Sequence, residues 1–192
     1  MKKLLFSLAL VAGGAVLLPS CKKIIDEIKK NINPFEHTVD LTYTIPTLMQ
    51  GQTYNADEQT YILNVNDVIN DNTEGLDVDI DDISSIKINK IVLTLENADA
   101  ENNWTNLQTA TAGVNSDKGR TAGKADIEST ITVPDAEAER YTDKTFTFAD
   151  HNLKDYLNGG DTKIYYSISA KARRAVTKEL TIKAKIEYSF KP

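Results

Sequence analysis

The C-terminal segment alternates apolar and polar side chains with a period of two residues, which constrains the fold more than any other feature. Its apolar positions are Leu180, Ile182, Ala184, Ile186, Tyr188 and Phe190. Because successive side chains of a β-strand point to opposite faces, this pattern predicts a long strand with one buried and one hydrated face. Residues 164–172 have the same period, and the polar residues 173–178 between the two segments predict the turn of a long hairpin.

Shorter alternating segments predict further strands in the rest of the chain. They cover residues 39–45, 61–65, 86–95, 108–114, 127–133 and 146–148. The apolar phase shifts by one residue within the third of these segments, which indicates a β-bulge. Two short helices are predicted, one with Asn66 and one with Asp150 as its N-cap. This pattern predicts an all-β fold, namely an antiparallel two-sheet β-sandwich with an Ig-like arrangement and one or two short helices.

The N-terminal segment differs from the rest, because a basic pair precedes an uncharged apolar run. Lys2 and Lys3 are followed by apolar or small residues at positions 4–18. A helix that spans a bilayer needs roughly 20 apolar residues, so this run is too short. A basic start, a short apolar core and small residues at its end are typical of a secretory signal peptide. The sequence therefore predicts export.

The end of this run resembles the lipobox of bacterial lipoproteins, in which signal peptidase II cuts before a cysteine that carries lipid. Leu18, Pro19, Ser20 and Cys21 occupy the motif. The resemblance implies a covalent lipid on Cys21 as the membrane anchor, and Lys22 after it favours the outer membrane, with the periplasmic and surface faces both open. Cys21 is the single cysteine, so an exported domain lacks an internal disulfide. An ordinary signal peptide followed by a free thiol is the alternative.

The predicted organisation is a lipoprotein signal peptide at 1–20, the lipidated cysteine with an amphipathic tether at 21–36, and a β-sandwich domain at 37–192. Ile24, Ile28 and Ile32 form one stripe of a short helix in the tether. This helix rests on the membrane, packs against the domain, or is replaced by a disordered spacer. The signal peptide holds two lysines and no acidic residue, so its removal changes the net charge from −6 to −8. Such an acidic chain disfavours nucleic-acid binding.

The acidic stretch DVDIDDIS is the candidate metal site. Asp77, Asp79 and Asp81 alternate, so in an extended chain their carboxylates point the same way and offer oxygen ligands to Ca²⁺. The stretch does not match the EF-hand template, and a solvated acidic edge explains it equally well. We therefore favour no metal and expect no cofactor other than the covalent lipid. Motifs for phosphate loops, zinc sites and nucleophile elbows are missing from the sequence, so no catalytic residue is predicted.

Two polar segments are the candidate contacts for a ligand or partner. Trp104, the single tryptophan, lies in ENNWTNL and either contacts a partner from a loop or is buried with Leu107. Arg173, Arg174 and Lys178 lie between the last two strands and would bind acidic groups. We predict a non-catalytic, lipid-anchored envelope protein that binds a protein or glycan partner through its loops. The alternatives are a structural or accessory subunit of an envelope assembly and, third, a calcium-dependent or carboxylate-based enzyme.

Overall fold

The computed structural model describes residues 32–73, 76, 78–148 and 151–192. Almost half of the described residues form β-strands, in agreement with the alternating segments of the sequence. In chain order the strands are β1 (Phe35–Ile45), β2 (Thr53–Asn55), β3 (Gln59–Asn64), β4 (Ser85–Leu95), β5 (Leu107–Ser116), β6 (Ile127–Thr132), β7 (Lys144–Phe146), β8 (Asp161–Ala172) and β9 (Leu180–Lys191).

The strands form two antiparallel sheets, which confirms the predicted β-sandwich. The first sheet has the order β1-β9-β4-β7. In the second sheet, β2 and β3 pair with successive parts of β8, which is followed by β5 and β6. The chain passes from one sheet to the other at most of its connections, whereas the β2–β3 and β5–β6 connections stay within the second sheet. This strand order is that of a jelly roll, so the Ig-like resemblance extends to the two-layer architecture alone.

The two longest strands bury the residues that the alternation predicts. Every apolar position of β9 is buried, and β8 buries its own alternate positions in the same way. These side chains face each other between the sheets and form the core. The β-bulge predicted in β4 is also confirmed, because the register against β9 shifts between Ile88 and Lys90.

The predicted long hairpin between β8 and β9 is wrong. β8 pairs with β2, β3 and β5, whereas β9 pairs with β1 and β4 in the other sheet. Residues 173–179 therefore cross the end of the sandwich from one sheet to the other. The physical reason is that a period of two identifies the buried face of a strand but not the strand that pairs with its backbone.

Tyrosine hydroxyls provide a polar link inside the core. The Tyr43 hydroxyl donates a hydrogen bond to the Tyr166 carbonyl over 3.2 Å. The hydroxyls of Tyr166 and Tyr188 are hydrogen-bonded to each other. Burial raises the pKa of all three phenols above the ordinary value of 10.0. These side chains thus remain neutral and connect the two sheets.

Among the described residues, two α-helices and several single turns of 3₁₀-helix lie in the connections between strands. The α-helices are α1 (Val65–Asn72) and α2 (Asp117–Thr121), and the 3₁₀-helices are Ile80–Asp82, Trp104–Asn106, Glu137–Glu139 and Leu153–Tyr156. Asn64 rather than Asn66 is the N-cap of α1, since its side-chain oxygen accepts from the backbone N–H of Asp67 over 3.1 Å. The second predicted helix is the 3₁₀ turn capped by Asn152, and Asp150 lies outside the described residues.

The sandwich has two distinct ends. At the end where β1 begins, Phe35 pairs with Phe190, and α1, α2 and the turns Ile80–Asp82 and Leu153–Tyr156 lie there; we call it the helix end. At the other end Ile45 pairs with Leu180. The connections at that end are residues 46–52, 96–106, 133–143 and 173–179. We call it the cleft end, because a polar cleft opens among these connections.

The predicted signal peptide, Leu18, Pro19, Ser20, Cys21 and the first part of the tether lie outside the described residues. Within the part of the chain that the structure describes, no helix combines the length and hydropathy needed to cross a membrane. The boundaries at residues 20 and 36 stay predictions. The first strand of the sandwich begins at Phe35.

Candidate functional site

A polar cleft of about 400 Å³ opens at the cleft end of the sandwich. Its buried part consists of Asn103, Thr105 and Asn106. Its more exposed part carries charged side chains from three connections, namely Glu101, Asp135, Glu137, Arg140 and Arg174. The volume falls within the range of roughly 300–1,000 Å³ that small-molecule sites occupy.

The buried part of the cleft is built by the segment around Trp104, which forms a capped 3₁₀ turn. The side-chain oxygen of Asn103 accepts from the backbone N–H of Thr105 over 3.1 Å and from its hydroxyl over 2.8 Å. The Asn103 side-chain nitrogen donates to the carbonyls of Asp99 and Ala100 over 3.0 and 3.3 Å. The hydrogen-bonding capacity of Asn103 is thereby used within the turn, so the shape of the cleft is fixed by the protein itself.

Asn106 joins this turn to the segment that crosses between the sheets. Its side-chain nitrogen donates to the carbonyls of Glu101 and Ala175 over 3.0 and 2.7 Å. Its side-chain oxygen accepts from the backbone N–H of Asn103 over 3.0 Å. Asn102 acts similarly, because its oxygen accepts from the backbone N–H of Thr177 over 2.7 Å. Two connections that are distant in sequence are thus held together by buried amides.

Trp104 is fully buried, so the predicted partner contact through its ring is wrong and the alternative of burial is correct. Leu107, with which burial was predicted, is also fully buried. The Lys144 ammonium lies 5.9 Å from the centre of the indole ring and 2.6 Å from the Glu139 carboxylate. The polar neighbours of Trp104 suggested a loop, but their side-chain amides form hydrogen bonds to other parts of the protein.

The three basic residues of the crossing segment have different positions. Arg174 lines the cleft, and its guanidinium contacts both oxygens of Asp135 over 2.7 and 2.6 Å. Arg173 is partly buried and donates to the carbonyls of Thr105 and Val133 over 3.3 and 2.5 Å. Lys178 lies 2.5 Å from the Asp99 carboxylate. The structure therefore places Arg174 at the cleft and gives Arg173 and Lys178 contacts that join the connections.

Two carboxylates at this end have a lowered pKa. The hydrogen bond from Lys178, with further ones from the backbone N–H groups of Asn102 and Glu101, lowers the pKa of Asp99 from 3.8 to about 2. The hydrogen bond from Arg174 lowers the pKa of Asp135 below its ordinary value. Both groups are therefore ionised at neutral pH.

Sequence reasoning missed most of the charged residues of the cleft. Glu101 lies in the segment around Trp104 but was not itself predicted as a contact. The other three, namely Asp135, Glu137 and Arg140, lie in a connection that was not predicted as a site. Tyr141, the residue after Arg140, has 59% of its surface exposed and was not predicted as a contact either. An exposed aromatic residue beside alternating charges in residues 135–141 was the one available indication.

The acidic stretch at the helix end does not have the predicted geometry. Ile80–Asp82 is a 3₁₀ turn, in which the Asp79 carboxylate accepts from the backbone N–H of Asp81 over 2.8 Å. Asp79 and Asp81 therefore do not alternate along an extended strand, and Asp77 lies outside the described residues. Among the described residues, no group of three or more His, Cys, Asp and Glu side chains is arranged to hold a metal ion.

No protein-family model and no curated protein matches the chain. Three solved structures that it resembles are viral. The decameric BFDV capsid protein has a TM-score of 0.37 and 11% identity, over 83% of this chain and 99% of its own. The structure of Desmodium yellow mottle tymovirus has a TM-score of 0.25 and 13% identity, over 95% of this chain and 93% of its own. The structure of the empty head of turnip yellow mosaic virus has a TM-score of 0.23 and 12% identity, over 96% of this chain and 89% of its own. Likenesses at these TM-scores carry no inference about this chain.

Proposed function

We propose that this chain is a non-catalytic, lipid-anchored protein of the outer membrane that binds a protein or glycan partner at its cleft end. The observation that carries the proposal is the position of the cleft relative to the start of β1. At about 3.3 Å per residue, β1 spans roughly 33 Å between the two ends of the sandwich. A lipid on Cys21 would hold the helix end near the bilayer, and the cleft would face away from it.

The electrostatics of the cleft favour binding over carboxylate catalysis. A general acid or base works best when its pKa lies near the working pH. The pKa of Asp135 is lowered by Arg174, which contacts both of its oxygens. A carboxylate in this state is a weak base and is not available as an acid at neutral pH. It is suited to holding a ligand through charge-assisted hydrogen bonds.

The anchor is tested by expressing the full chain and its Cys21→Ala variant in a Gram-negative host. The intact protein is expected in the outer-membrane fraction with the added mass of acyl chains on the cysteine. The variant is expected to lose the lipid and to leave the detergent phase. Lys22→Asp is a control that keeps the cysteine, and it is expected to move the lipidated protein to the inner membrane. An unmodified Cys21 in the intact protein would contradict the anchor.

Protease treatment of intact and lysed cells decides which side of the outer membrane the domain faces. Cleavage in intact cells would place the cleft on the cell surface, where it meets environmental glycans and proteins. Protection until lysis would place it in the periplasm. Either result is compatible with binding at the cleft end, and it determines which ligands are tested first.

A role as a structural subunit is the second candidate, because two large side chains are exposed at the cleft end. Met49 has 78% of its surface exposed and Tyr141 has 59%. Apolar surface of this kind is common at protein interfaces. The subunit role predicts co-purification with a fixed stoichiometry after mild solubilisation. Recovery of the intact protein without a companion would contradict it.

A further inference from the structure

We propose that the polar cleft binds a neutral carbohydrate, with hydroxyl groups hydrogen-bonded to the charged side chains and a sugar ring placed near Tyr141. This inference rests on the proposed function of the cleft end as a binding surface. It narrows the partner from a protein or glycan to an uncharged, polyhydroxylated ligand.

The pairing of charges within the cleft argues against a charged ligand. The Arg174 guanidinium already contacts both oxygens of Asp135, and Arg140 lies 3.6 Å from the Glu137 carboxylate. An anion would compete with Asp135 for Arg174, and a cation would compete with Arg174 for Asp135. A hydroxyl group both donates and accepts, so it can add to the remaining lone pairs and N–H groups without breaking the pair.

The Glu101 carboxylate supplies a hydrogen-bond acceptor that, unlike Asp135 and Glu137, is not paired with any arginine that the structure describes. It lines the cleft and is exposed, and among the described residues no cationic side chain forms an ion pair with it. Charged acceptors form shorter and stronger hydrogen bonds than neutral ones. Two neighbouring hydroxyls of a sugar match the two oxygens of such a carboxylate.

The rigidity of the buried part of the cleft favours a ligand that is recognised by shape and hydrogen bonds. Asn103 is bonded within its own turn, and Asn106 is bonded to Glu101 and Ala175. The walls are therefore held in position before a ligand arrives. A preorganised site loses less conformational entropy on binding, which matters for weak, neutral ligands.

Tyr141 provides the aromatic surface that sugar rings commonly contact. It follows Arg140, which lines the cleft, and most of its surface is exposed to solvent. A tyrosine ring combines an apolar face with a polar hydroxyl. The C–H groups of a sugar ring can pack on such a face while its hydroxyls bond to the neighbouring charged groups.

The test uses the full lipidated chain in detergent and three sets of probes. These are neutral oligosaccharides of hexoses and N-acetylhexosamines, their sulfated and sialylated counterparts, and a pooled library of unmodified peptides. Binding is followed by isothermal titration and by saturation-transfer NMR. Glu101→Gln and Tyr141→Ala change the cleft end, and Glu36→Gln is a matched control at the helix end.

The inference predicts that a neutral oligosaccharide binds with an affinity that changes little between low and high salt. Glu101→Gln and Tyr141→Ala are each expected to weaken binding by about tenfold, whereas Glu36→Gln leaves it unchanged. If only charged glycans or peptides bind, and both variants lose that binding, the inference of a neutral carbohydrate is overturned and the proposed function stays intact. Binding that neither variant affects, or no binding of any probe, would overturn the inference and also remove the support for the cleft as the binding surface.

Discussion

The two ends of the sandwich are closed by different means. At the helix end, α1 and the turn Leu153–Tyr156 bury apolar side chains such as Ile69, Leu153 and Leu157 over the end of the core. At the cleft end, the connections are held by buried asparagines and by ion pairs. Polar contacts support the helix end as well, since the ammonium groups of Lys118 and Lys154 donate to the carbonyls of Leu157 and Ile83. The difference is that the polar closure leaves an open cleft lined by charged groups.

The largest expected effect on stability is the difference between a buried and an exposed aromatic residue at the cleft end. Trp104 is fully buried, so Trp104→Ala is expected to lower the free energy of unfolding by about 4 kcal/mol, measured by urea denaturation. Tyr141→Ala, in which an exposed aromatic residue of the same end is removed, is expected to change it by less than about 0.5 kcal/mol. Equal losses of unfolding free energy in the two variants would contradict the conclusion that Trp104 is a buried core residue and Tyr141 an exposed surface residue.

The second prediction compares one asparagine from each end. Asn106→Ala leaves the carbonyls of Glu101 and Ala175 without this donor and the buried backbone N–H of Asn103 without its acceptor, so we expect a loss of about 3 kcal/mol. Asn152→Ala removes the cap of a turn at the helix end and two further hydrogen bonds, one from the backbone N–H of Ile86 and one to the carbonyl of Ser84. Because the Asn152 side chain is exposed, we expect a smaller loss of about 1–2 kcal/mol. Thermal and urea unfolding of the two variants measure this difference. A larger loss for Asn152→Ala would reverse the comparison.

The third prediction concerns pH and the Lys178–Asp99 pair. Because the folded-state pKa of Asp99 is about 2, below the ordinary value of 3.8, its stabilising contribution is complete above 3.8 and is lost as the pH falls towards 2. Carboxyl-carbon NMR should show this pKa rising in Lys178→Met. It should remain below 3.8, since the backbone donors of Asn102 and Glu101 persist.

The matched titration at the helix end uses Asp155, whose pKa is lowered by its hydrogen bond from Lys124. No backbone donor contributes to that shift, so Lys124→Met is expected to return the pKa of Asp155 much closer to its ordinary value. If the pKa of Asp99 returned fully to 3.8 in Lys178→Met, the backbone hydrogen bonds from Glu101 and Asn102 would not be stabilising its carboxylate.

The smallest expected effect is that of the exposed ion pairs on stability. Arg174→Lys keeps the charge but loses the planar guanidinium that contacts both oxygens of Asp135. The side chain is 52% exposed, so we expect less than about 1 kcal/mol by urea denaturation. Lys183→Gln, which breaks an exposed pair with Glu96 on the first sheet, is the control of similar size. A loss of several kcal/mol for Arg174→Lys would show that the pair closes this end by itself.

The faces of the strands could be predicted from the sequence, whereas the pairing of the strands could not. The alternation in β8 and β9 identifies each buried side chain, because side-chain direction is a local property of an extended backbone. Residues 173–179 cross between the sheets because β8 and β9 each pair with strands from distant parts of the chain, β8 with β2, β3 and β5 and β9 with β1 and β4. A local sequence pattern does not identify these partners. The cap of α1 shows a smaller error of the same kind, since Asn64 and Asn66 are both suitable caps by residue type.

The candidate site could be predicted only in part. Arg174 was identified from its position in a basic connection, but Glu101 and Asp135 come from other connections that the fold brings to the same place. Trp104 was ambiguous, because asparagines are as common in hydrated loops as in turns whose amides bond inward. The direction of the Asn102, Asn103 and Asn106 side chains is a tertiary property that no local pattern contains.

The proposed arrangement places the helix end near the membrane and the cleft end far from it. Its most direct test places a single fluorophore on Ala138→Cys at the cleft end or on Gly160→Cys at the helix end, in the lipidated chain bound to vesicles. Both positions are exposed, and a side chain at Gly160 meets no neighbouring atom within 4 Å. Nitroxide-labelled lipids are expected to quench the label at position 160 and not the one at position 138. Stronger quenching at position 138 would contradict the account.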